Sequence, residues 1–402
     1  MSPGQLPAAQ PRPVSIYLIC SSYPPVIGGT EIEAQRVCSM LRQRGYRIRV
    51  LCTGGGPMPS VKDWIDPYGT PVRLFGSGLP PRLRHYIYGI GVAWFFLRHR
   101  RDFDVAYFLM GGFQLMMGLP AARLLGKSIV MKFSGSNTIT PLTHSLLGRI
   151  ELGFLRRWAK RILVLNPAMV EEAQAAGFRE SHLEWMPNPV DTDWFSPAPA
   201  NRRSELRQSN GLDPQAPVIL YTGRLAPEKE LPSLIEAFAL VVQKRPDARL
   251  VLLGGGPLQG ALESLIAQLN LQNAIRLTGP MPPEAVGSWM QLSDVFTLVS
   301  SLEGLPCALL EAMSSALPAV VSGIPANLQL IEDEVHGLVV ACRNVTEIAA
   351  GLLRLIEDPE RSRRFGVAAR QRILERYSNE KVVALYEDLF RRLTGDMAQH
   401  TI

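Results

Sequence analysis

One pattern occurs twice in this 402-residue chain and limits what it can fold into: an apolar run, a turn, a helix-spaced stretch and a second apolar run. The first copy is "VSIYLIC", "GGTEIEAQRVCSMLRQRGY" and "RIRVLCT". Ile32, Val37, Met40 and Leu41 recur at helical spacing and Gly45 closes the helix. Strand, glycine turn, helix, strand is the opening of a parallel α/β sheet, because parallel neighbours need a crossover and continuous apolar strands need cover on both faces. "DVAYFLM", "SIVMKF", "RILVLN" and "LEWMPN" continue the strands. A stretch from Phe195 to Pro217, rich in Pro, Ser, Asn and Arg, has the composition of a linker. After it the pattern restarts with "VILYTG", "LPSLIEAFALVVQKR" and "ARLVLLGGG", then "AIRLTG", "VFTLVSS" and "PAVVSG". The expectation is two doubly wound α/β domains in tandem, 14–197 and 217–377. They are joined by a linker at 198–216, preceded by a flexible leader at 1–13 and followed by an amphipathic helix within 378–395.

The length is enough for two sizeable cores, and 47% hydrophobic with 19% charged residues argues against a disordered chain. Five widely spaced cysteines, Cys20, Cys38, Cys52, Cys307 and Cys342, argue for a reducing compartment and against a disulfide frame or zinc site. The net charge of +6 is uneven: 22 Lys and Arg face 13 Asp and Glu in residues 1–200, and 20 face 23 in the rest. A basic first half suits phosphates or an anionic membrane surface. No nucleic-acid signature accompanies it, so nucleic acid is not an expected partner. "VSIYLIC" is too short for a signal peptide and leads straight into turn residues. Val105 to Ala122 is long enough to span a bilayer, but Gly111, Gly112, Gln114 and Pro120 interrupt it, which favours a buried strand, a glycine turn and an apolar helix. The stretch Tyr86 to Arg101, "YIYGIGVAWFFLRHRR", suits either an interior helix or docking on a membrane face.

Ligands of open α/β sheets bind beyond the carboxyl ends of the strands, and three motifs fall there. "YTGRLAPEKE" places Arg224 and Lys229 on the loop after a strand, where two cations suit a diphosphate. "GGTE" places Gly28, Gly29 and Glu31 at the equivalent edge of the first domain, where glycines before a helix let backbone N–H groups face an anion. The third is "SSLEGLPCALLEAM", Ser300 to Met313, which carries Glu303 and Glu311. With 23 Glu in the chain about one such spacing arises by chance, and Glu172/Glu180 and Glu228/Glu236 also have it. Context separates the pair. Glu303 follows a strand, Gly304 and Leu305 allow close backbone approach, and Pro306 suits a helix start that puts Glu311 about a turn and a half in. Carboxylates accept from paired sugar hydroxyls, so two carboxylates beside two cations describe a site for a sugar diphosphate.

Together with "NPVDTDWFSP", "GGGP" and "SGIPANLQLIEDEVHGLVV", these motifs span nearly the whole chain, and in this order it resembles glycosyltransferase family 4. That resemblance implies two facing Rossmann-like domains with a cleft between them, the GT-B fold, with the C-terminal helix packing back on the first domain. It implies retaining transfer from a UDP- or GDP-linked sugar to a glycan or lipid-linked acceptor in envelope or exopolysaccharide biosynthesis. Arg224 and Lys229 would hold the diphosphate, Glu311 the ribose, and Glu303 the transferred sugar. Gly304 and Leu305 would offer backbone N–H groups, and Gly28 and Gly29 would close on the diphosphate. Glu31, Lys132, Ser134 and Asn188 fall on the acceptor side. Many relatives carry a His there, whereas "MKFSGSN" has none. In such transfer the departing phosphate itself can take the acceptor proton. "DTD" at Asp191–Asp193 is matched by "DFD" at Asp102–Asp104, so neither marks a metal, and no catalytic metal or other cofactor is expected. The expected location is cytoplasmic, with the inner membrane face a candidate docking place. A nucleotide-sugar-binding protein without catalysis is the alternative, and a dehydrogenase is disfavoured by the absent G-x-G-x-x-G.

Overall fold

The computed structural model describes residues 13–26, 28–53, 62–109 and 111–395; the leader at 1–13 lies, but for Pro13, outside them. Two parallel sheets are present. The first is built from β1 (Ser15–Cys20), β2 (Arg47–Thr53), β3 (Asp63–Ile65), β4 (Pro71–Phe75), β5 (Val105–Leu109), β6 (Ser128–Lys132), β7 (Arg161–Val164) and β8 (Leu183–Trp185). They lie in the order β3-β4-β2-β1-β5-β6-β7-β8, with only β3 antiparallel to its neighbour. The second holds β9 (Val218–Thr222), β10 (Arg249–Leu253), β11 (Ile275–Gly279), β12 (Val295–Leu298), β13 (Ala319–Ser322) and β14 (Gly337–Val340), in the order β11-β10-β9-β12-β13-β14. Residues of β1, β5, β6 and β9 are buried throughout, as strands covered on both faces must be. Val105 to Ala122 holds strand β5, the Gly111–Gly112 turn and most of the helix Phe113–Leu124, and no helix among the described residues is long and apolar enough to cross a membrane.

In each sheet the strand order reverses once, between β1 and β5 in the first and between β9 and β12 in the second. Connections leave these adjacent strands toward opposite sides, which opens a crevice at their carboxyl ends. The two crevices belong to domains that touch through Asn166, Asn188 and Arg36 on one side and the 304–311 segment on the other.

The chain returns to the first domain at its end. Val190 and Tyr377 pair through the backbone, and the helix Asn379–Thr394 buries Val382, Tyr386, Leu389 and Phe390 against Val37, Leu41 and Tyr107 of the first domain. The linker reading of 198–216 needs correction, because Ala200–Ser209 is a helix. Its composition hides this. Leu206 buries apolar surface, and Arg203 and Arg207 anchor the helix to Asp294 and to the carbonyls of Ser293 and Leu292.

Candidate functional site

Strand β9 ends at Thr222, and Gly223 follows at φ 152°, a conformation open chiefly to glycine. A methyl group on Gly254 would lie 1.9 Å from the Gly223 carbonyl, so the loops leaving β9 and β10 pass at backbone contact. The Tyr221 hydroxyl donates to the Arg224 carbonyl at 2.9 Å and pins the exit turn. A short helical turn, Pro227–Lys229, then carries Lys229 toward the exit of β12. There the Lys229 ammonium meets Glu303 Oε1 at 2.6 Å, and the Ser300 hydroxyl donates to the same oxygen at 2.7 Å. Arg224 lies outward with its guanidinium 2.6 Å from Glu228.

Arg224, Glu228, Lys229, Leu302, Glu303 and Gly304 line a pocket of about 300 Å³ whose remaining wall is Gly135 and Ser136 of the first domain. A hollow of about 560 Å³ at the β11 edge has no carboxylate, and its arginines are held by backbone carbonyls, Arg249 by Pro246 and Arg276 by Asn210. The smaller pocket therefore carries the chemistry: two cations and two carboxylates converge at a switch point.

At Gly304 the two domains pass at backbone contact. A methyl group there would lie 2.8 Å from Gly135 Cα and 2.9 Å from the Ser134 carbonyl. Two first-domain amides grip this turn: Asn166 Nδ2 donates to the Gly304 carbonyl at 2.5 Å and Asn188 Nδ2 to the Leu305 carbonyl at 3.0 Å. The helix Cys307–Ser314 follows and carries Glu311 inside the interface, 3.6 Å from the Arg36 guanidinium. Burial pushes the Glu311 carboxyl up to about 6, with Arg36 pulling the other way.

The first-domain residues, Gly28 and Gly29 expected at the donor diphosphate and Glu31, Lys132, Ser134 and Asn188 expected on the acceptor side, are less convergent. Gly28 caps and Gly29 begins the helix Gly29–Gln43, and the Glu31 carboxylate folds back against Gly28, accepting from the Ser22 hydroxyl. None of the three lines the pocket. The reading of Lys132 as an acceptor contact needs correction. Its side chain is fully buried, paired with Glu33 and 3.3 Å from both Asn188 Oδ1 and Tyr386 Oη. Burial alone would lower this ammonium, but Glu33 and Tyr386 outweigh it and leave it raised. Asn188 accepts from Lys132 and donates to Leu305, so it holds the donor turn. Ser134 has a buried hydroxyl without a hydrogen-bond partner among the described residues. Nearby, Glu151 lies beneath the Gly111–Gly112 turn, and burial pushes its carboxyl up to about 7, partly offset by the Gly112 N–H at 3.4 Å.

Sequence reasoning missed Arg36, Ser300 and Asn166. Only Asn166 carried a local signal: Asn before Pro marks a helix start, and its side chain does cap Pro167–Ala175.

Comparison with known proteins agrees with this geometry. The model of "Glycosyl transferases group 1" matches residues 202–372, and that of "Glycosyltransferase Family 4" matches 27–194. The alpha-D-kanosaminyltransferase of Streptomyces kanamyceticus is 30% identical over 285 residues, 67% of this chain and 72% of that protein. A GDP-mannose-dependent alpha-(1-6)-phosphatidylinositol monomannoside mannosyltransferase of Mycobacterium tuberculosis is 27% identical over 284 residues, 68% and 72% of the two chains. Among solved structures, Anabaena HepE in complex with UDP and glucose superimposes with a TM-score of 0.79 at 20% identity, over 94% of this chain and 100% of that one. The fold and the matched families thus define a GT-B glycosyltransferase. The chain belongs to glycosyltransferase family 4, with the group 1 domain as its second half.

Proposed function

We propose that the chain is a retaining glycosyltransferase that moves a sugar from a UDP- or GDP-linked donor to a glycan or lipid-linked acceptor in envelope or exopolysaccharide biosynthesis. The observation that carries this is the convergence of Arg224, Lys229 and Glu303 on one pocket at the second sheet's switch point. On donor binding Arg224 exchanges Glu228 for phosphate oxygens, and Lys229 adds a point charge that also steadies the leaving diphosphate. Glu303, fixed by Ser300 and Lys229, lies by the sugar where positive charge develops at the anomeric carbon. Glu311 accepts from the ribose hydroxyls. The acceptor enters from the first-domain side, and the departing phosphate takes its proton.

The two cations supply the leaving-group stabilisation, so the reading includes no metal. Asp191 of the "DTD" stretch instead caps backbone N–H groups of Asp193 and Trp194, at 3.2 and 2.9 Å. The relatives' names point to unlike acceptors, an inositol lipid for one and 2-deoxystreptamine for another. The basic first domain favours the lipid-linked class, used at the inner face of the cytoplasmic membrane.

A thermal-shift screen of sugar nucleotides followed by transfer assays tests the reading, since only ligands of the folded state raise the midpoint. One UDP- or GDP-sugar is expected to stabilise the protein and be consumed, with the anomeric configuration kept and EDTA without effect. A stabilising donor that is neither hydrolysed nor transferred would instead mark a binding protein. Loss of activity in EDTA with recovery in Mn²⁺ would overturn the metal-free reading.

A further inference from the structure

Most large apolar side chains exposed in the first domain sit on three neighbouring helices, and one helix stands out. Pro81–Arg98 buries Tyr88, Val92, Phe95 and Phe96 in the core. Its opposite face carries Leu83, Tyr86, Ile87, Ile90, Trp94 and Leu97, all exposed, with Trp94 at 57% and Ile90 at 53%. At 100° per residue these six fall in one stripe along about 21 Å of helix. A helix apolar on both faces is not accounted for by a single core. Gly89 and Gly118 allow close packing onto the helix Phe113–Leu124, where a methyl group on Gly89 would meet the Phe113 ring at 2.4 Å. That helix ends with Leu124, 79% exposed, and the third, Leu146–Trp158, starts with Leu146 and Leu147, 70% and 68% exposed. All three cover the same face of the first sheet and share one core.

The charge of this region is one-sided. Residues 67–170 contain 14 Lys and Arg against three acids. Of these acids Asp102 is exposed beside His99, Asp104 accepts the Ser15 N–H, and Glu151 is buried. Exposed Arg82, Arg98, Arg123 and Arg149 adjoin the apolar side chains.

We propose that the outward faces of these helices form a docking surface for an anionic lipid bilayer. Apolar side chains with Tyr and Trp among them suit the headgroup boundary, and arginines beside them suit anionic phosphates. In βα units each helix starts at the carboxyl edge of the sheet, so Leu83, Tyr86, Leu146 and Leu147 lie at the cleft end of the surface. A membrane-borne acceptor would then enter the cleft without leaving the bilayer. This adds a partner to the transferase reading, and its test needs no transfer.

The test is flotation of the full chain with vesicles of phosphatidylcholine alone or with one third phosphatidylglycerol. Binding is expected only with the anionic lipid and is expected to fall with salt. I90E/W94E, at two exposed positions, should keep its thermal midpoint and bind at least tenfold more weakly. R123A/R149A should lose about fivefold for each arginine. Equal binding of both vesicle types, equal binding by I90E/W94E, or no binding by the wild type would overturn the proposal. So would a dimer in lipid-free solution that I90E/W94E splits into monomers, since the face would then bind a second copy. Thermal stabilisation by a sugar nucleotide alongside failed flotation would leave the transferase reading standing without this surface.

Discussion

Two Lys–Glu pairs lie at the carboxyl ends of the two sheets, and they serve different ends. Lys132–Glu33 joins the last residue of β6 to the helix Gly29–Gln43 and is wholly buried beneath Tyr386 of the C-terminal helix. Lys229–Glu303 lines a pocket, and Arg224 opposite it is exposed to incoming ligand. A buried pair whose remaining hydrogen bonds are filled by Asn188 and Tyr386 has no free valence for a substrate. A pair at a pocket wall has, because a phosphate can take over the lysine. Residue type and strand-end position are alike in the two, and only burial separates structure from chemistry.

The largest effect expected from breaking this comparison is on stability. Lys132→Met leaves the Glu33 carboxylate buried and unpaired and should cost about 3–5 kcal/mol. Adding Glu33→Leu should return much of the loss. Urea unfolding of the single and double variants measures both. Unchanged stability in Lys132→Met with a raised acceptor KM would return Lys132 to the acceptor site.

Next comes the second pair. Glu303→Gln removes charge where the transition state needs it and should lower kcat by roughly 10²–10³-fold with little change in donor KM. An effect confined to KM would make Glu303 a binding group only. Arg224→Ala ranks third. It should weaken nucleoside diphosphate and donor alike by about 1.5–3 kcal/mol, the range for hydrogen bonds to charged groups. Calorimetric titration showing unchanged affinity for both would remove Arg224 from the diphosphate site.

The unequal legibility of the two halves has the same root. The strands, the restart after 217 and the charges at the β9 and β12 exits were readable because each rests on local spacing. β3 and β14 escaped because "DWI" and "GLVV" are too short to show a period, and β4 because Pro71 and Arg73 interrupt "PVRLF". Lys132 was misplaced because its partner stands 99 residues earlier. Asn166 was passed over because the Gly304 carbonyl it grips is 138 residues away. No pattern along the chain brings such residues together, and a polar side chain near a strand end reads alike whether it faces a ligand or a neighbour.

The smallest expected effect concerns Glu311, which shares features of both pairs: it is buried like Lys132, and the proposed function assigns it to the donor like Glu303. Burial holds its carboxyl up to about 6, above the ordinary range, with Arg36 at 3.6 Å resisting the shift. The folded protein therefore binds this proton more tightly than the unfolded chain. The stability this group contributes is fully present below the ordinary carboxylate range and is lost as pH rises through about 6. Donor binding runs the other way, because the ionised carboxylate is the better acceptor for ribose hydroxyls. Donor KM should rise several-fold as pH falls from 7 to 5, about what one titrating hydrogen bond can give. Glu311→Gln, without a titrating group, should raise KM at pH 7 and flatten the profile. A sugar nucleotide is the right probe, since its esterified diphosphate stays ionised over that range. Arg36→Ala removes the charge that resists the shift, so it should move the inflection to higher pH while leaving kcat nearly unchanged. A profile that is the same in wild type and Glu311→Gln would place the titrating group elsewhere. Glu311 would then be an interface residue, closer to Lys132 than to Glu303.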